Sequence, residues 1–187
     1  MIHFECDYAC GAHPAVLKAL VESNGEQHCG YSEDDRCAAA AGLIRELCHC
    51  PDAAVHFVVG GTQANLLVVE AGLRSFEGVL CADTGHINVH ETGAVEATGH
   101  KILTRPNVDG KIYPEQVKDI LAEYTDIHVV KPAMVYISQP TELGTLYTKA
   151  EIEALRKVCD ENGLYLYCDG ARLASALTAK GNDVQLS

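Results

Sequence analysis

Four short stretches of this 187-residue chain bring together residues that could do chemistry, each where an apolar run gives out. "LYLYCDGAR" ends its run at Asp169, with Arg172 three residues on. A carboxylate at the end of a buried strand is costly unless it is paired. Its natural partners are an Arg or a protonated ring nitrogen. "GGTQAN", with Gly60, Gly61, Thr62 and Gln63, stands between an apolar run and a helical one. Two glycines allow a tight turn, and a helix start offers free N–H groups and the positive end of its dipole, which suits a phosphate. "DTGHIN" puts His86 just past another run, with Glu91 following on what reads as a helix. "QPTELG" turns at Pro140 and Gly144 and leaves Gln139 and Glu142 at the rim. Taken singly, each stretch has a structural alternative: a turn capped by Thr62, a His capping the next helix, a solvated turn at Glu142, an Asp169–Arg172 pair.

Taken together, the four stretches describe one ligand pair. A phosphate cradle, a His able to lie on a flat ring, an acid for a cationic ring nitrogen and an Arg for a carboxylate suit pyridoxal 5'-phosphate and an amino acid. An Asp on the pyridinium nitrogen keeps it protonated, so that the ring can withdraw electrons. Arg suits a bidentate grip on a carboxylate. The glycine turn is neither a P-loop nor a dinucleotide fingerprint, since it lacks both glycine spacings.

The elements that must position these groups alternate. "AVHFVV" (54–59), "GVLCAD" (78–83), "KILTR" (101–105), "PAMVYIS" (132–138) and "LYLYC" (164–168) read as strands. Between them, "ANLLVVEAGLRSF" reads as a helix buried on most sides. "PEQVKDILAEY" starts with Pro114 at a favourable first helical position. "TKAEIEALRKVCDENG" opens on a Thr148/Glu151 capping box and closes at Gly163. This rhythm predicts an α/β fold of three layers, a mostly parallel central sheet with helices on both faces. Residues 1–50 read as an N-terminal helical segment of the same domain, with helices in "HPAVLKALVESN" and "DDRCAAAAGLIRELCHC". Residues 51–187 form the α/β part. Ligands of such sheets bind beyond the carboxyl ends of the strands, where the four stretches lie.

Composition narrows the partners. A net charge of −12, with no block of Lys and Arg, argues against nucleic acid or an anionic membrane. The N-terminus has no basic and apolar leader pattern, and no run reaches the length of a membrane span, which predicts a cytoplasmic, soluble protein. Nine cysteines contain no pair of C-x-x-C units, so neither a structural zinc site nor any other metal centre is expected. Their odd number favours reduced thiols, and Cys81, Cys159 and Cys168 read as small buried hydrophobes.

Six stretches in order, "CDYACGAHPAVLKAL", "GYSEDD", "GGTQANLLV", "GHINVHETGA", "QPTELGTLYT" and "DGARLASAL", are similar to the threonine aldolase and β-eliminating lyase family of fold-type-I pyridoxal-phosphate enzymes. The resemblance covers the large-domain part. It implies that Gly61, Thr62 and Gln63 hold the phosphate, that His86 stacks on the ring and assists proton transfer, and that Asp169 pairs with the ring nitrogen. Arg172 is implied to contact the phenolic oxygen or the substrate carboxylate, with Tyr31 and Glu91 around the site. The implied reaction is retro-aldol cleavage of a β-hydroxy-α-amino acid such as threonine to glycine and an aldehyde, in a homodimer or homotetramer. Cys6 stands where many members have Ser at a substrate contact, and Glu142 stands where some have His, which leaves the base open. The resemblance places the Schiff-base lysine about thirty residues past Asp169, beyond Ser187, and Lys180 lies too near. The reading is therefore a lyase large domain cut before its lysine and small domain. A β-eliminating lyase is the alternative within the enzymes, and a pseudo-enzyme or complementing fragment the alternative outside them.

Overall fold

The computed structural model describes residues 6–186, which fall into two compact units divided between Phe57 and Val58. In the first, the expected helices form as α1 (Pro14–Ser23) and α2 (Asp35–Leu47). Pro14 opens α1, and the Asp34 side chain caps α2 by accepting the N–H groups of Arg36 and Cys37, each at 2.9 Å.

The second unit runs α3 (Gly61–Gly72), β1 (Glu77–Ala82), α4 (His86–Val89), α5 (Ala94–Ala97), β2 (Lys101–Arg105), α6 (Pro114–Glu123), β3 (Lys131–Ser138), α7 (Lys149–Asn162), β4 (Tyr165–Asp169) and α8 (Leu173–Thr178). Its four strands are parallel and ordered β2-β1-β3-β4. Alternation along the strands divides the core into two faces. Leu80, Leu103, Val135 and Ile137 pack with Val117 and Ile120 of α6 and with Leu155 and Val158 of α7. Val79, Cys81, Met134 and Tyr136 pack with Val69 of α3, Ile87 of α4 and Val95 of α5. The sheet is thus covered on both sides, as a parallel sheet must be.

The local signals at α7 hold. Thr148 and Glu151 cap one another reciprocally, and Gly163 ends the helix in the left-handed conformation at φ 65°. Three expectations fail. The run 54–59 forms no strand, and Val59 is 95% exposed. β-Branched residues favour a strand but supply no neighbouring strand to pair with, and pairing is what stabilises one. Helix α3 buries only Asn65 and Val69 and leaves Leu67 and Val68 exposed, so it has one buried stripe rather than burial on most sides. Cys168, on the outer strand β4, is exposed, whereas Cys81 and Cys159 are buried as expected. All nine cysteines are free thiols.

Candidate active site

The strand order makes β1 and β3 neighbours whose chains leave in opposite directions, β1 toward β2 and β3 toward β4. The crevice at their carboxyl ends is where open α/β sheets bind ligands. The β1 exit supplies His86 at the start of α4, and the β3 exit supplies Glu142. The two exits are tied together: the His86 backbone N–H donates to Glu142 Oε1 at 2.9 Å. Ser138 Oγ lies 2.5 Å from the same oxygen. Gln139 lies beneath the turn, 1% exposed, and exchanges hydrogen bonds with the backbone of Tyr147 in both directions, which fixes how Glu142 is presented.

Asp169 ends β4 in register with Ser138 of β3. Its Oδ1 accepts the Ala171 N–H at 3.0 Å, while Oδ2 accepts from Asn65 Nδ2 at 3.0 Å and from the Tyr136 hydroxyl at 2.8 Å. Asn65 also donates to Glu91 Oε1 at 2.6 Å. Glu91 stands in the turn after α4, not on a helix, and its side chain is fully buried. Its Oε1 meets His86 Nδ1 at 2.8 Å, while Oε2 is buried with no hydrogen-bond partner. An acceptor at that distance places the ring proton on Nδ1 and leaves Nε2 of a neutral imidazole with its lone pair.

The two tyrosines that feed this network pack edge to face, with ring centroids 5.5 Å apart. Burial, the largest influence on each, pushes both phenols far above their usual range, so each remains a donor: Tyr136 to Asp169 and Tyr167 to Asn65. Ser138 has one hydroxyl proton and two neighbours for it, Tyr136 Oη at 3.1 Å and Glu142 Oε1.

The glycine turn opens α3. Gly60 precedes it in extended backbone and no side chain caps it. Neither Gly60 nor Gly61 has a positive φ, so the tight turn expected of them is not their reason for being glycine. A Cβ at either would meet nothing within 4 Å. The helix start is therefore open for a ligand to approach its N–H groups. Thr62 is exposed in this first turn, and Gln63 turns back, its Oε1 accepting the Val59 N–H at 2.9 Å.

His86, Glu91, Glu142 and Asp169 are thus joined in one hydrogen-bonded network. Arg172 stands just past Asp169, at the N-cap of α8. Cys6 and Tyr31 belong to the first unit, where Tyr31 is fully exposed at φ 62° and Cys6 is partly buried. Asn65, Tyr136, Ser138 and Tyr167 escaped the sequence reading. Their signal was present: Tyr136 and Ser138 share one face of β3, and Asn65 lies one helical turn before the buried Val69. Ligand atoms of His86, Glu91 and Asp169 all lie within 4.8 Å of one another, a spacing that a metal ion could use. Asn65 Nδ2, however, directs an N–H at each carboxylate, and a donor between two acids repels a cation.

Residues 4–186 match the family described as beta-eliminating lyase. A low specificity L-threonine aldolase of Pseudomonas aeruginosa is 36% identical over 180 residues, which is 95% of this chain and 52% of that protein. The chain therefore spans about half the length of the curated relatives it matches. A threonine aldolase of Leishmania major superposes with a TM-score of 0.95 at 50% identity, covering 96% of this chain and 53% of the other. A C–S lyase of Staphylococcus hominis, solved with pyridoxal phosphate, shares the fold at 15% identity and a TM-score of 0.58, over 86% of this chain and 41% of its own.

Proposed function

Because the chain belongs to the beta-eliminating lyase family, we propose that it is the cofactor-binding half of a pyridoxal-phosphate-dependent lyase of the threonine aldolase type. The substrate would be a β-hydroxy-α-amino acid, cleaved to glycine and an aldehyde. The observation that carries this reading is Asp169, held at the end of β4 by Asn65 and Tyr136 and facing the crevice that also holds His86 and Glu142.

The residues present fit the cofactor. Gly61, Thr62 and Gln63, at an uncapped helix start with open space around it, would hold the phosphate. Asp169 would hold the ring nitrogen, and the half-buried His86 would lie on the ring face. When bound, pyridoxal phosphate supplies the electron sink that makes the Cα–Cβ bond of the amino acid labile.

The remaining work falls to the chain. Glu142 is proposed to take the proton of the substrate β-hydroxyl. Among the described residues the His86 N–H and the Ser138 hydroxyl both go to Oε1, which leaves Oε2 to receive it. Glu91 orients the His86 ring and keeps its proton on Nδ1, so that Nε2 can accept one. Arg172 is proposed for the substrate carboxylate. β-Elimination on the same site is the second reading, carried by the family description itself. Assembly as a homodimer or homotetramer is part of the proposal.

The test is to add pyridoxal phosphate to the purified chain and follow its visible spectrum, comparing wild type with Glu142→Gln and Asp169→Asn. The proposal expects a saturable spectral change in wild type and Glu142→Gln and its loss in Asp169→Asn. A spectrum indifferent to Asp169→Asn, or a borohydride-fixed adduct on Lys180, overturns it.

A further inference from the structure

Asn65 is an amide on the buried stripe of a helix, 1% exposed and one turn before Val69. An Asn there is unfavourable for the helix and costly to bury unless every donor and acceptor is used. Here all are used. The two N–H groups go to Glu91 Oε1 and Asp169 Oδ2, and Oδ1 accepts the Tyr167 hydroxyl. The partners also fix which way the amide faces. Two carboxylates need donors and a phenol held protonated by burial needs an acceptor, so a flipped amide would break three bonds at once.

We infer that Asn65 is a positioning residue that couples the two acids of the site. Glu91 and Asp169 come from different connections, 26 and 104 residues from Asn65 in sequence, and both direct an oxygen at the same nitrogen. Two carboxylates at that separation repel one another, and a neutral N–H on each offsets the repulsion without adding a cation that would compete with a ligand. Glu91 in turn sets the His86 tautomer, and Asp169 is the group proposed for the ring nitrogen. One amide therefore holds the orientation of the ring-stacking histidine and the position of the ring acid together. This inference rests in part on the cofactor reading, through Asp169. Its arm through Glu91 and His86 does not.

The test uses Asn65→Leu, similar in volume and without donors, in the full 187-residue chain. Nitrogen-15 NMR of the His86 ring, read without cofactor, reports the Glu91 arm. Wild type should show Nδ1 protonated as the main tautomer, and the variant should lose that preference. Pyridoxal phosphate carrying a nitrogen-15 ring label reports the Asp169 arm. Affinity should fall about ten-fold or more, as the loss of a buried hydrogen bond to a charged group predicts, and the ring nitrogen should lose protonation. A folded variant with unchanged His86 tautomer and unchanged ring-nitrogen signal overturns the inference. Failure of wild type to bind the cofactor would strike the functional reading and leave the tautomer arm to decide this one. If Asn65→Leu does not fold, wild type carries the test through its own side-chain amide: both N–H protons should be slow to exchange and coupled to the two carboxyl carbons. A freely exchanging proton would refute the inference.

Discussion

Two acids of the second unit solve the same problem differently. Glu151, at the start of α7, has its oxygens 2.8 and 3.1 Å from Lys111 Nζ, and it accepts the Thr148 N–H and the Tyr113 hydroxyl as well. Burial pushes its carboxyl up, but the Lys111 and Thr148 hydrogen bonds and the Lys111 charge outweigh that and hold it below the usual carboxylate range. Glu91 is more deeply buried, has an amide and an imidazole on one oxygen, and has nothing on the other. The first acid is finished, and its role is to cap a helix and tie it to the loop before α6. The second retains unspent acceptor capacity at the crevice, which a fold seeking only stability would have paired or replaced.

This contrast can be broken at several points. Asp169→Ala, on the unfinished side, should cost at least about 100-fold in pyridoxal phosphate affinity while the melting temperature falls by only a few degrees. Collapse of folding with affinity unchanged would make the Asp169 network structural. Glu91→Gln keeps the shape and an oxygen for Asn65 and His86. Affinity for pyridoxal phosphate should fall about ten-fold with little change in melting temperature. A large loss of stability with no other effect would place Glu91 beside Glu151. Lys111→Met, on the finished side, should cost about 1–3 kcal/mol by denaturant unfolding, since the pair is partly shielded from water, and should leave cofactor affinity alone.

The same pair has a pH signature. Because the folded carboxyl of Glu151 is depressed, its stabilisation is fully present above about pH 4.3 and is lost as pH falls through the lower folded value. Melting temperature plotted against pH should show this acid step weakened in Lys111→Met. The smallest expected effect is at the cap itself: Thr148→Ala should cost about 1 kcal/mol, read by thermal unfolding, with the site untouched.

How far the sequence foretold this arrangement varied with the kind of signal. Local chemistry was legible: the Thr148/Glu151 box, Pro114, Gly163 and four of the strands stand within a residue or two of their expected places. The grouping of the strand exits was legible too, since His86, Glu142 and Asp169 meet in one hydrogen-bonded network. What was missed depends on neighbours remote in sequence. The run 54–59 has the residues of a strand and no strand beside it. Asn65, Tyr136 and Tyr167 looked like ordinary core positions because their partners come from other elements: the β3–β4 register pairs the two tyrosines, and α3 packs Asn65 against β4. Gly60 and Gly61 were read for their freedom of conformation, whereas neither has a positive φ and a Cβ at either would meet open space.

That register has a consequence for what insertions the chain can bear. Tyr136 pairs with Tyr167 and Ser138 with Asp169, so two rungs of one ladder carry four of the groups around the crevice. Side chains alternate every residue, and each step advances about 3.3 Å. A single inserted or deleted residue within β4 would turn Asp169 to the opposite face of the sheet, while Tyr136 and Ser138 stayed in place. The last turn of α7 and its Gly163 cap precede β4 and lie outside this ruler, so a length change there acts on the helix end and not on the pairing of the rungs. The site is thus ruled off in strand residues, and its tolerance to length changes should alter abruptly at the first residue of β4.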